Sequence, residues 1–198
     1  YPLALAKNGD TGEFVCIALL GFEAGENLFW QNGEWQGLYL PLQIRRQPFF
    51  VGNPSTHNKA TAENGDHIVC IDSQSPAITD EGGMALFDER GLDTEFFQQT
   101  KACLAHLLAG EVDNKSLIEN LQKMDLLQSL SLKITLTNQE STRLNGLYTV
   151  NQDKLAKLKD QQVLQLHKLG LMGAMHTLIT SLGQVQTLID LKNQRLVN

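Results

Sequence analysis

Two short stretches that read only as tight turns restrict the start of this chain to strands paired with their own sequence neighbours. Asn8-Gly9-Asp10-Thr11-Gly12 is dense in residues that tolerate positive φ, and it separates two strand-like runs, Tyr1 to Lys7 and Glu13 to Leu20. Asn32-Gly33 does the same further on, folding Leu28 to Gln31 back onto Glu34 to Leu38. Neighbours joined by such short turns pair antiparallel, since a parallel pair needs a crossover of a dozen residues or more.

The pattern changes after Gly91. Asp93 is placed to cap a helix through Ala109 that Gly110 stops, and Ser116 with Glu119 makes a capping box for a second helix to about Leu127. Leu132, Ile134 and Leu136 alternate with Lys133 and Thr135, the period of a half-buried strand over Ser131 to Thr137, whose partner is Arg143 to Val150. Asp153 then caps a short helix, Gln161 to Leu169 forms another that Gly170 breaks, and a last helix runs from about Met172 to Gln194. On that last helix Met175, Leu178, Leu182, Val185 and Ile189 form a narrow apolar stripe, which reads as a core-facing side, with a homodimer seam as the alternative.

Strands first and helices later predict an α+β fold, with mostly antiparallel strands in the N-terminal half and helices with one β-hairpin in the C-terminal half. A chain of 198 residues, 42% of them hydrophobic, is long enough for one domain spanning 1–198, with possible lobes at 1–91 (strand-rich) and 92–198 (helix-rich). Gly52 to Asp66 is too polar to offset the entropy of ordering it and reads as a mobile loop. Ser73 to Gly91, rich in Gly, Pro and Asp, reads as irregular with one short turn near Leu86-Phe87.

The net charge of -6, with no basic run longer than Arg45-Arg46, argues against a nucleic-acid binder, which needs concentrated Lys and Arg to displace phosphate counterions. Cys16, Cys70 and Cys103 are odd in number and sit in apolar surroundings, which predicts free thiols in a reducing compartment and a cytoplasmic location. No apolar stretch approaches the roughly 20 residues that span a bilayer.

Chemical signatures are sparse. His57, His67, His106, His167 and His176 lack helical spacing to one another, so no metal site is expected. Asp72, Asp80 and Glu81 lack the spacing of a calcium loop, Ser181 lacks the glycine-flanked nucleophile elbow, and no phosphate-binding glycine loop occurs. Neither catalytic residues nor a cofactor are predicted. The remaining candidate is a ligand site drawn from the aromatic and basic cluster: Glu26, Asn27, Trp30, Trp35, Tyr39, Arg45, Arg46 and Phe49. If Pro41 opens a helical turn, Arg45 and Arg46 point about 100° apart, so one can turn inward and grip a planar anion while the other faces solvent. The plainer reading pairs one arginine with Glu23 or Glu26 as a staple between hairpin and helix.

The order and spacing of several short motifs resemble the bacterial SapC family. In the first half these are Tyr1-Pro2-Leu3, Ala18-Leu19-Leu20-Gly21, Gly25-Glu26-Asn27-Leu28-Phe29, Tyr39, Pro41, Arg45-Arg46 and Pro48-Phe49. In the second half they are Leu144-Asn145-Gly146-Leu147-Tyr148, Leu155, Leu158, Leu166-His167, Gly170, Ser181-Leu182 and Leu188. The resemblance implies an accessory role beside surface-layer proteins, flavin-dependent halogenase-like proteins, cupin-like oxygenases or TonB-dependent receptors, in uptake or handling of a nutrient or modified substrate. It supplies no catalytic residues. Three functions follow as expectations: a non-catalytic ligand-binding accessory protein, an interaction module using the Met175 to Ile189 stripe, or an enzyme whose residues converge only in three dimensions, using His167, Asp72 or Arg45.

Overall fold

Both early turns form as their glycines require. Asn32 and Gly33 take φ of 52° and 80°, the left-handed pair of a two-residue hairpin turn. They join β3 (Trp30–Gln31) to β4 (Glu34–Trp35), a shorter ladder than the sequence suggests. The Asn8 to Gly12 turn joins β1 (Leu3–Lys7) to β2 (Phe14–Ala18), in register from Leu3 opposite Ala18 to Lys7 opposite Phe14. The computed structural model describes residues 1–52 and 67–197. Apart from Gly52, the loop expected to be mobile, with His57 in it, lies outside the described residues.

The chain divides into two compact units, and the division does not follow the strand-rich and helix-rich lobes expected on either side of residue 91. The first unit takes Tyr1–Leu38 together with Asp113–Asn198, and the second takes Tyr39–Val112.

In the first unit β1 is joined on its other edge by β8 (Ser141–Val150), which pairs with β7 (Leu127–Thr135), giving an antiparallel sheet of order β2-β1-β8-β7. A register shift between Leu130 and Leu132 marks a bulge in the β7–β8 ladder. Helices α3 (Gln152–Leu155), α4 (Asp160–Lys168), α5 (Leu171–Ser181) and α6 (Val185–Val197) follow. One core gathers Leu5, Leu121, Leu126, Val150, Leu166, Met175 and Leu178, and a second gathers Phe22, Leu28, Phe29, Ile134 and Leu188.

The apolar stripe of the last helices is spent inside this unit. Met175 and Leu178 are fully buried in the first core, Val185 and Ile189 pack against the second, and Leu182 is half-buried. The single last helix of the sequence reading is interrupted by a tighter turn at Leu182–Gln184. Gly170, at φ 71°, ends α4 as expected. The cap of α3 is Asn151, whose side chain accepts from the Lys154 N–H, rather than Asp153.

The second unit holds α1 (Leu42–Arg45), the hairpin β5 (Phe49–Gly52) with β6 (Ile68–Ile71), and the first part of α2 (Glu95–Lys123). Phe49, Phe97 and Leu104 form its core, with Val51, Val69, Leu86 and Phe96 around them. The irregular segment is organised by Asp88, which accepts the N–H groups of Arg90 and Leu92 at 2.9 Å each; the bond from Leu92 leads the influences that hold its carboxyl below the ordinary range.

Helix α2 corrects the sequence reading most. It runs unbroken for 29 residues through Gly110, so Gly110 ends no helix and Ser116 with Glu119 caps none. Its N-terminal part buries Phe97 and Leu104 in one core and its C-terminal part buries Leu117 and Leu121 in another. That burial outweighs the roughly 1 kcal/mol by which glycine disfavours a helix interior. Its start is capped by Thr94, whose hydroxyl accepts from the Phe97 N–H at 3.3 Å, while the neighbouring Asp93 pairs with Lys101. No described helix is long and apolar enough to cross a membrane.

Candidate functional site

The eight residues of the expected ligand site fall into both units. Glu26, Asn27, Trp30 and Trp35 belong to the first, and Tyr39, Arg45, Arg46 and Phe49 to the second.

In the first unit their side chains and backbones are occupied by architecture. One Glu26 carboxylate oxygen accepts the Phe22 N–H at 2.8 Å and the other is bound by Lys192 Nζ, which also reaches Glu23 at 3.3 Å. Burial alone raises the Glu26 carboxyl, but the bonds from Lys192 and Phe22 outweigh it and hold it below its ordinary range. The bond to Glu26 in turn pushes Lys192 up. The staple expected between Glu23 or Glu26 and an arginine therefore exists with a different cation, Lys192 from α6. Asn27 Oδ1 accepts from the Phe29 N–H, and the Asn27 and Trp30 carbonyls both accept from Arg195 Nη2 at 2.6 Å. Trp35 donates its indole N–H to Tyr1 Oη at 2.9 Å and stacks on Phe29, and the Trp30 ring is exposed.

The second unit differs. Pro41 does open a helical turn, and Phe49 is buried in the core beneath it. Arg46 is held in place: its Nε donates to Gln43 Oε1 and its Nη1 to the Phe49 carbonyl, each at 2.7 Å, while its Nη2 has no partner among the described residues. Arg45 is exposed, and among the described residues neither arginine is in an ion pair. Three cavities of this unit share Arg46 in their walls. One, of about 340 Å³, is lined among the described residues by Gln43, Arg46, Gly52, His67, Leu104 and Glu111, among others. Another, of about 700 Å³, is a wide groove along Asp72 to Pro76.

The third lies between two described helices. It encloses about 370 Å³ between α1 and α2, a size suited to a small ligand. Arg45 and Arg46 form one side. Phe96, Gln99, Thr100, Ala102, Cys103 and His106, on one face of α2, form the other. Among the described residues no carboxylate stands in this wall, although the chain as a whole has 22 acidic residues against 16 Lys and Arg. The two guanidinium groups therefore meet an amphipathic surface with no counter-ion among the described residues.

Sequence reasoning reached the arginine side of this cleft and missed the α2 side. Phe96, Gln99, Thr100, Cys103 and His106 follow the three-and-four spacing of a helix face, a signal that turns a lone histidine into part of a wall only once α2 is recognised as continuous.

Other candidates serve structure. Ser181 Oγ accepts the Leu3 N–H at 3.0 Å and donates to the Leu178 carbonyl at 2.9 Å, tying β1 to α5. Burial raises the Cys16 thiol, which makes it a poorer nucleophile. His167 belongs to the first unit and Asp72 and Arg45 to the second. Among the described residues no cluster of three His, Cys, Asp or Glu is arranged to hold a metal ion.

Comparison with known proteins yields one match. No curated protein and no solved structure is significantly similar to the chain. The SapC family model aligns with residues 1–188, which includes every element down to the start of α6. By that match across nearly its whole length, the chain belongs to the SapC family.

Proposed function

We propose that this SapC-family chain is a non-catalytic accessory protein that binds a small ligand in the cleft between α1 and α2. The observation that carries the reading is the pair Arg45 and Arg46 in a wall that has no carboxylate among the described residues, in an otherwise acidic protein. A cation kept for architecture is normally matched to an acid or to carbonyls, as Lys192 and Arg195 are in the first unit and Arg46 is in part through the Phe49 carbonyl, whereas Arg45 has no such match among the described residues. The role implied by the family resemblance is assistance in nutrient uptake or substrate handling beside TonB-dependent receptors and halogenase-like proteins. Three free thiols fit a reducing compartment, and a cytoplasmic location goes with this reading.

A thermal-shift screen of amino acids, peptides, sugars and aromatic acids tests it. The expected result is stabilisation by at least one class that disappears in Arg45→Ala. A flat screen with pure, folded protein removes the small-molecule role. A homodimer joined through Met175, Leu178, Leu182, Val185 and Ile189 has less support, because Met175 and Leu178 are already buried within one chain. Light scattering that finds only monomer at high concentration removes it.

A further inference from the structure

We infer that the ligand of this cleft is a small monocarboxylate with a flat apolar body. The inference rests on the binding role proposed above and narrows it to a chemical class.

The donors present match one carboxylate. Arg45 has no hydrogen bond to another described residue that would occupy its planar fork, and such a fork meets a carboxylate through two parallel bonds. Arg46 has already committed its Nε and one donor of Nη1, so it adds a second, shorter-handed contact from a fixed position. Together they satisfy the few lone-pair directions that a carboxylate offers.

A phosphate asks for more. Sites for phosphate commonly surround it with backbone N–H groups at a helix start or in a glycine-rich turn. Here the α2 wall spans Phe96 to His106, and beyond its first turn the backbone N–H groups are consumed within the helix. Two polar side chains of that wall are also committed: Gln99 Nε2 donates to Glu95 Oε1, and the Thr100 hydroxyl donates to the Phe96 carbonyl. Beside the two arginines, the His106 ring is the remaining uncommitted nitrogen donor among the described wall residues, too little to wrap a dianion.

The wall opposite the arginines mixes apolar residues with Gln99, Thr100 and His106. Phe96, Ala102 and the buried Cys103 line the side facing the arginines, so a ligand anchored at its acid end lays carbon against carbon. A flat body also stacks on Phe96 or on the Arg45 guanidinium plane at little conformational cost.

Isothermal titration of the whole chain with benzoate, benzamide and inorganic phosphate decides it, using wild type and Arg45→Gln, each checked for folding by circular dichroism. Benzoate is expected to bind at least tenfold more tightly than either other compound, and Arg45→Gln to weaken it tenfold or more with an unchanged melting temperature. Equal binding of benzamide overturns the inference, because the charge would then not be read. Preference for phosphate overturns it in favour of an inorganic or phosphorylated ligand. Undiminished benzoate binding by Arg45→Gln places the ligand elsewhere and also overturns it. Silence from all three compounds removes the monocarboxylate class, while the broader binding role is judged separately by the screen of sugars, peptides and amino acids.

Discussion

The two units place their cations in opposite circumstances. Lys192 in the first unit lies against Glu26 and Glu23 with most of its side chain and that of Glu26 withdrawn from solvent, at 18% and 13% exposure. Arg45 in the second unit faces a cleft whose wall contains no acid among the described residues. The contrast separates a charge that holds a fold together from one available to something outside it. Chain-wide charge counts, or the mere presence of basic residues near aromatics, do not make that distinction.

Lys192→Met tests the structural half of the contrast and has the largest expected effect. It strands the Glu26 carboxylate in a mostly buried place, which costs about 2–4 kcal/mol when one member of such a pair is removed. Urea denaturation monitored in parallel for Glu26→Gln and the double variant gives the coupling, expected at about 1–2 kcal/mol. A coupling near zero would make the pair incidental.

Titration comes next. Glu26 is held below its ordinary range in the fold, so its contribution is complete above the carboxylate pKa of the unfolded chain and is lost as pH falls through the lowered folded value. Lys192 is raised, so its contribution is complete below the ordinary lysine pKa and is lost as pH rises through the raised folded value. Wild type should therefore lose stability at both extremes, and the double variant should show a flatter profile in each. Identical profiles would break the link between these shifts and stability.

Smaller effects belong to the arginines. Arg46→Ala loses its bonds to Gln43 and to the Phe49 carbonyl, an expected loss of about 1 kcal/mol. Arg45→Gln should change stability by less than about 0.5 kcal/mol, the range of surface changes away from special features. A large loss from Arg45→Gln would move that residue to the structural side of the comparison.

Local chemistry was legible from the sequence and long-range competition was not. The hairpin at Asn32-Gly33 was readable because two residues at positive φ settle a turn by themselves. Gly110 misled because its cost to a helix is local, whereas Leu104, Leu117 and Leu121 act through cores assembled from remote segments. Lys192 was missed as the partner of Glu26 for a similar reason: 166 residues separate them, and no periodicity links the two. Arg45 and Arg46 were found as a local cluster, but Phe96 and His106 join them only through the packing of α2 against α1.

The makeup of the first unit bears on how the protein is made. Its sheet sets β1 beside β8, and Ser181 closes on Leu3 across 178 positions of chain. The second unit comes from the uninterrupted stretch Tyr39–Val112. During vectorial synthesis the inner stretch can therefore reach its fold while β1 and β2 wait on the ribosome for a neighbouring strand not yet translated. Domains generally fold as units while the chain emerges, but this outer unit has to fold last although its first strands are born first. Conditions that slow translation of the final third of the chain would prolong that wait and leave the edge of β1 open to wrong partners.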